Sequence, residues 1–360
     1  MRNLITLVVV LLSWRYAVAQ QVRIGVLGLF HPQQFIVRPT PGEAILLHAG
    51  SENVLLEESS AIRETTVQIA EAVVTVTVGL RSLRTSDVTV SARSGDACDL
   101  LLSIPGKITR HYRGILKIHA VGDSLLADVQ MDLETAVASV VAAENPPDVP
   151  LEAAKAQAIA SRSFLLAGAG RHREFDFCDT THCQFLREPP VPDSTAARAT
   201  ALTAGLILTY QMKPVAAMYF RSCAGRTRTP AQLGLPEAAY PYYTVDCAYC
   251  RSHPERWEAR ISARDAELIR PEREDLRLQL GRRLGWNTLP STNISIVKEG
   301  SDVLVKGMGR GHGVGLCQAG ARGMAEQGSG ALQILAHYYP GTEVQSLRRP
   351  EKVHPQPEGD

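Results

Sequence analysis

The sequence predicts an α+β protein, with a β-rich N-terminal module followed by a mixed helix and strand region that carries a groove. Three observations predict it. Residues 22–125 read as short β-branched runs broken by Gly, Pro, Ser and Asp. From Met131 the pattern changes to Ala-rich helical stretches. Near the C-terminus, glycines at 309, 311, 313, 315, 320 and 323 make a loop too glycine-dense for either element.

Residues 1–19 come first. Arg2 precedes an apolar run over residues 4–12 and the small-residue end Ala17-Val18-Ala19, the pattern of a secretory signal peptide cut after Ala19. The run is too short for a membrane span, which needs about 20 apolar residues. The mature chain is expected to be exported, to the periplasm or cell envelope, with no transmembrane span. The strands follow as "VRIGVL", "VVTVTVGL", "DVTVSA" and "GILKIHAV", a module over 22–125 that is structural by default.

The second region is expected over 126–345. "DLETAVASVVAAE" is a helix with an acidic first turn, stopped by "NPP". "PLEAAKAQAIASRSFLLAGAG" is a second, with Pro150 at its start and glycines at its end. "STAARATALTAGLIL" reads as a third helix, and "KPVAAMYFRSCAGRT" as a strand entering a glycine turn. "DAELIRPEREDLRLQLGRRLGW" is helical but split by Pro271, and "ISIVKEGSDVLVKGM" is a strand pair. "AGARGMAEQGSGALQILAHYYPG" is a helical pair, and residues 346–360 are expected to be a disordered tail.

Charge excludes one class. Lys and Arg total 38 against 37 Asp and Glu, a net charge of +1 with no basic cluster, so no nucleic-acid partner is expected. No G-x-S-x-G elbow accompanies Ser222 and His312, which argues against a nucleophilic serine.

Four groups carry candidate chemistry. Glu144 ends a helix of Ala and Val, away from the favourable N-terminal dipole, so its carboxyl is expected to hold its proton to higher pH and suit a general acid. A solvated helix-end glutamate is the plain alternative. The loop "GRGHGVGLCQAGARGMA" brackets His312 and Gln318, either as a ligand loop or as a tight structural turn; its spacing fits neither phosphate-binding glycine motif. "HREFDFCDTTHCQF" places His172, Cys178, His182 and Cys183 within twelve positions, a set that suits tetrahedral zinc or a Cys178–Cys183 disulfide. Cys223, Cys247, Cys250 and Cys317, with His253 nearby, admit a second metal site or two disulfides, and disulfides or a redox-labile cluster are the expectation; the chain has seven cysteines, so at least one sulfur is left over.

Longer stretches carry a resemblance. "MDLETAVASVVAAENPPDVPLEAAKAQAIASRSFLLAG" and "GHGVGLCQAGARGMAEQGSGALQILAHYYPGTEV" resemble the core and the C-terminal signature of the stage II sporulation protein D (SpoIID/LytB) family. "MYFRSCAGRT" is similar to its Ser-x-x-Gly-Gly-x-Thr turn, with Ala224 in place of the first glycine, and "YRGILKI" to the strand that leads into the core. Together they span residues 112 to 345; the region before about 105 matches only loosely.

The resemblance implies a catalytic region with a substrate groove, and a peptidoglycan lytic transglycosylase that cuts peptide-free glycan strands and leaves 1,6-anhydromuramic acid ends. A non-catalytic activator of a cell-wall amidase is the alternative it also implies. It puts the catalytic role on Glu144 and substrate-binding roles on Lys155, Gln157, Arg162, Ser222, Thr227, His312, Gln318 and Tyr338. It also marks His172, Cys178, His182 and Cys183 as ligands of a structural zinc ion.

Overall fold

The computed structural model describes residues 20–347 except 169, 237, 300 and 301. The expected signal peptide and residues 348–360 of the expected tail lie outside the described residues.

Eleven strands come first: β1 (Gln21–Val26), β2 (Gln34–Pro39), β3 (Ala44–Ala49), β4 (Glu52–Glu57), β5 (Thr65–Ala70), β6 (Val73–Val78), β7 (Arg81–Thr85), β8 (Asp87–Ala92), β9 (Cys98–Ile104), β10 (Ile108–Val121) and β11 (Ser124–Asp132). Several alternate buried and partly exposed side chains, as in β3 and β9, because a strand turns successive residues to opposite faces. Among these eleven strands all pairs are antiparallel, and the sheet curls over itself through β10. That strand pairs β9 over residues 108–114 and then β11 over 115–121, with β8 on its other side at 116–119. Gly114 sits at the change of partner. A Cβ there would lie 2.5 Å from the Gln130 carbonyl oxygen, so only glycine lets the strands approach at the bend.

The helices grow directly out of this sheet. Asp132, the last residue of β11, caps α1 (Leu133–Glu144) by accepting from the Glu134 amide at 2.9 Å. The region boundary expected at 125/126 therefore falls inside β11, and one apolar core runs from Val22 to Tyr339 across both regions. Next come α2 (Leu151–Ala167), β12 (Phe177–Cys178), α3 (Thr195–Leu202), β13 (Leu206–Tyr210), β14 (Lys213–Pro214), β15 (Tyr219–Phe220) and α4 (Ala248–Ser252). The chain continues through β16 (Arg256–Ser262), α5 (Ala263–Ala266), α6 (Glu274–Leu284), β17 (Ile294–Glu299), β18 (Asp302–Met308), β19 (Leu316–Cys317), α7 (Gln318–Glu326), α8 (Ala331–Tyr338) and β20 (Glu343–Ser346).

The third expected helix is shorter than its pattern. Gly205 takes φ +74°, and "LILTY" leaves the helix to pair β20 as β13. Ser346, expected in the tail, belongs to that pair. Strands β16 to β18 and α6 enclose a small core of their own, around Ile261, Leu280 and Val305. The fold class is α+β as expected. Among the described residues no helix is long and apolar enough to cross a membrane.

Candidate active site and its supporting loops

Glu144 ends a helix whose preceding face is the buried Ala136, Val137, Val140 and Val141. One carboxylate oxygen accepts from the Phe185 amide at 2.9 Å. Burial pushes the carboxyl up to about 7 against the opposing pull of that single amide. The backbone carbonyl of Glu144, left without a helical partner at the helix end, accepts from the Gln318 side chain at 3.1 Å.

A cluster of buried polar side chains packs nearby. Gln157 donates to the Ser161 hydroxyl and Gln184 to the Ser161 carbonyl, both at 3.3 Å. Gln157 Oε1, Gln184 Oε1 and the Tyr219 hydroxyl are buried without a partner. The Tyr219 phenol is raised well above its usual range by burial, with the Glu144 charge adding to the effect, so the two groups are neighbours. Tyr219 and the Phe185 amide were not singled out from the sequence; their only signal was adjacency to "RSCAGRT" and "THCQ".

The glycine loop lies along β15. Gly309, Gly311, Gly313 and Gly315 all take positive φ, and a Cβ on Gly315 would fall 2.0 Å from the Met218 carbonyl oxygen. At that position glycine serves approach to the protein's own backbone. Ser222 and Arg310 exchange backbone hydrogen bonds at 3.1 and 2.8 Å, and the Arg228 amide reaches Gly313 at 2.7 Å. The result is a cleft of about 490 Å³, lined by Ser222, Thr227, Arg228, Thr292, His312 and Gly313 among others. His312 Nδ1 accepts from the Val314 amide at 3.1 Å, and burial lowers the ring's pKa, so its neutral form prevails at pH 7. Ser222 donates to Glu255, which also holds Arg310.

Of the expected substrate-binding residues, Ser222, Thr227 and His312 meet at this cleft, while Gln157 and Gln318 lie at Glu144. Three others lie away from the cleft. Arg162 is fully buried, pairs Glu134 through two nitrogens and donates to the Leu206 carbonyl at 2.9 Å, so it ties α1, α2 and β13 together and touches no solvent. Tyr338 is 1 % exposed and its hydroxyl faces the Cys247 sulfur at 3.5 Å. Lys155 is occupied at 2.8 Å by Glu152, one helical turn away, and does not line the cleft.

The His/Cys loop is built for convergence. The ligating atoms of His172, Cys178, His182 and Cys183 all lie within 4.8 Å of one another, with His172 Nε2 3.2 Å from the Cys183 sulfur. A turn closed by the Cys183 amide on the Thr180 carbonyl at 3.0 Å lets the adjacent His182 and Cys183 face one point. Two imidazoles and two thiols at this spacing fit one tetrahedral ion. The Cys178–Cys183 disulfide is not formed, and all seven cysteines are free thiols, so the disulfides expected among the other four are absent too. The loop rests on β1, where Ile24 and Gly25 pair Phe177 and Cys178 in parallel. Gly25 has no room for a side chain, since its Cβ would enter the Phe175 ring that packs on His172. From Cys183 the chain runs directly into Gln184 and Phe185, the residues that reach Ser161 and Glu144.

A family model described as stage II sporulation protein matches residues 122–210, which contain Glu144 and the His/Cys loop. The stage II sporulation protein D of Bacillus amyloliquefaciens is 28% identical over 264 residues, covering 59% of this chain and 74% of that protein. An uncharacterised protein of Brachyspira hyodysenteriae is 28% identical over 279 residues, 67% of this chain and 74% of the relative. The amidase enhancer of Bacillus subtilis is 38% identical over 68 residues, 19% of this chain and 10% of that protein. The chain thus carries a stage II sporulation protein match over residues 122–210 and is similar to the stage II sporulation protein D (SpoIID) family over more than half of its length.

Proposed function

We propose that the protein is a peptidoglycan lytic transglycosylase of the cell envelope, with Glu144 as its acid and then its base. The carrying observation is a buried carboxyl raised to about 7, in a region where Gln157 Oε1, Gln184 Oε1 and the Tyr219 hydroxyl are buried without a partner. A group with that pKa is half protonated near neutral pH and can both donate and accept a proton there. Ordinary glycosidases use two carboxyl groups. Near the cleft, Glu255 is held by Arg310, and Glu274 by Arg277. A one-carboxylate mechanism suits this setting. Glu144 protonates the leaving glycosidic oxygen, the muramic acid C6 hydroxyl attacks the anomeric carbon, and the Glu144 carboxylate takes the proton from that hydroxyl. His312, Ser222 and Thr227 supply hydrogen bonds to the strand along the cleft.

In this reading His172, Cys178, His182 and Cys183 hold one zinc ion. Four protein ligands leave no position for water, so the ion supplies structure, fixing the turn that aims the Phe185 amide at Glu144. Purified protein is expected to lose one zinc per chain on Cys183→Ser and to melt at lower temperature, because a structural site contributes folding energy directly. Unchanged metal content would remove these ligands from the assignment.

The deciding experiment is mass analysis of products from purified, peptide-free glycan strands. Ends lighter by one water than reducing ends are expected. Reducing ends would mean hydrolysis and a second carboxylate. No cleavage, with stimulation of an added cell-wall amidase, would favour the activator reading, which the similarity to an amidase enhancer supports.

A further inference from the structure

Four cysteines far apart in the chain converge behind the glycine loop. Cys223 follows β15, Cys247 caps α4, Cys250 lies within α4, and Cys317 ends β19 and caps α7. All four are buried, and their sulfurs lie within 4.8 Å of one another. Cys250 and Cys317 sulfurs are 3.5 Å apart, and none of the four is in a disulfide. By contrast Cys98, also buried, stands alone in the sheet, donates to the Gly114 carbonyl, and has its thiol pushed up to about 12 by burial.

The spacing selects the occupant. One ion bound by four thiolates at about 2.3 Å sets the sulfurs ~3.8 Å apart, which matches this cage. An iron–sulfur cluster distributes its cysteines over separate irons and needs a wider one. The surroundings also suit anionic sulfur. The Cys223 and Gly320 amides point at the Cys317 sulfur at 3.3 and 3.4 Å, and the Tyr338 hydroxyl faces Cys247. Gly320 is confined by the same cage, since its Cβ would lie 2.5 Å from the Cys247 sulfur and 2.0 Å from the Tyr338 oxygen.

We infer that Cys223, Cys247, Cys250 and Cys317 bind a single structural zinc ion, distinct from the His/Cys loop. The ion joins the turn after β15, the Cys-x-x-Cys helix and the start of α7. It thereby fixes Cys317, whose neighbour Gln318 holds the backbone of Glu144. All four positions are taken by protein, so the site stabilises the wall of the cleft and activates no water.

Metal analysis of the full chain, purified without chelator, tests this. Two zinc ions per chain are expected in the parent protein. One should remain in His172→Ala/Cys183→Ser, which removes the loop site, and one should be lost in Cys250→Ser. If the parent holds one zinc that survives the loop variant, only the loop assignment fails. If the loop variant holds none, or the site holds iron, the four-cysteine assignment is overturned. A second measurement needs no variant: denaturing the parent with chelator and alkylating agent but no reductant. Recovery of all four cysteines alkylated is expected, and any disulfide among them overturns the proposal.

Discussion

The two ends of α1 carry one glutamate each, and their surroundings are opposite. Glu134, in the first turn, sits where the helix dipole favours negative charge; it meets the buried Arg162 through two hydrogen bonds and also accepts from the Gly205 amide. Glu144, at the last residue, follows a buried Ala and Val face and accepts from one amide, and among the described residues no cation is bonded to it. The same side chain is a paired structural anion at one end and, in the proposed mechanism, a proton donor at the other. Neighbours decide the role.

The comparison breaks most sharply at Glu144. Glu144→Gln keeps shape but cannot transfer a proton, and activity on glycan strands is expected to fall about 10²–10⁴-fold. Undiminished turnover would mean that another residue is the acid. Glu134→Gln should act on the fold instead. It leaves Arg162 buried without its counter-charge, and denaturant unfolding should show a loss of about 3 kcal/mol or more. The residual activity per folded molecule should stay near that of the parent.

Proton linkage sharpens the contrast. The Glu144 carboxyl is raised from 4.5 to about 7, so between those values the unfolded chain gives up its proton while the folded chain keeps it. Stability from this group is present below pH 4.5, declines as pH rises through the window and is gone above 7. Glu144→Gln should therefore match the parent at low pH and exceed it above pH 7, by an upper limit of about 3 kcal/mol. Parent activity should fall as pH rises past 7. Equal stability of the two proteins at every pH would show that the carboxyl is not desolvated. The smallest effect is expected at the cleft, where His312→Ala removes one hydrogen-bonding group and should weaken glycan binding about 2–10-fold. Unchanged binding would reduce the loop to a structural turn.

Local chemistry made much of this legible in the sequence. Ala and Val before Glu144 announce its burial, and the strand and helix patterns hold across most elements because each follows a local period. What was hidden depends on distant partners. Arg162 and Tyr338 read as substrate-binding side chains until Glu134 and Leu206 close on the first and Cys247 meets the second from 91 residues away. "LILTY" continues a helical pattern by composition, yet Gly205 and the partner strand β20 make it a strand. The Phe185 amide carries no side-chain signature at all, so its bond to Glu144 has none in the sequence.

The seating of the His/Cys loop on β1 has a consequence for the order of assembly. β1 lies between β11 and β12, and the pair Ile24 with Phe177 must bridge nearly the whole first half of the chain. Closing so long a loop is entropically late, and contacts of this range slow folding. Hairpins such as β3–β4 and β5–β6 are expected to acquire amide protection first, and Phe177 and Cys178 near the end, in pulse-labelled hydrogen exchange. Phe185 follows the same loop. A partly folded chain would then hold Glu144 in water as an ordinary carboxylate, without the raised pKa that the proposed mechanism uses.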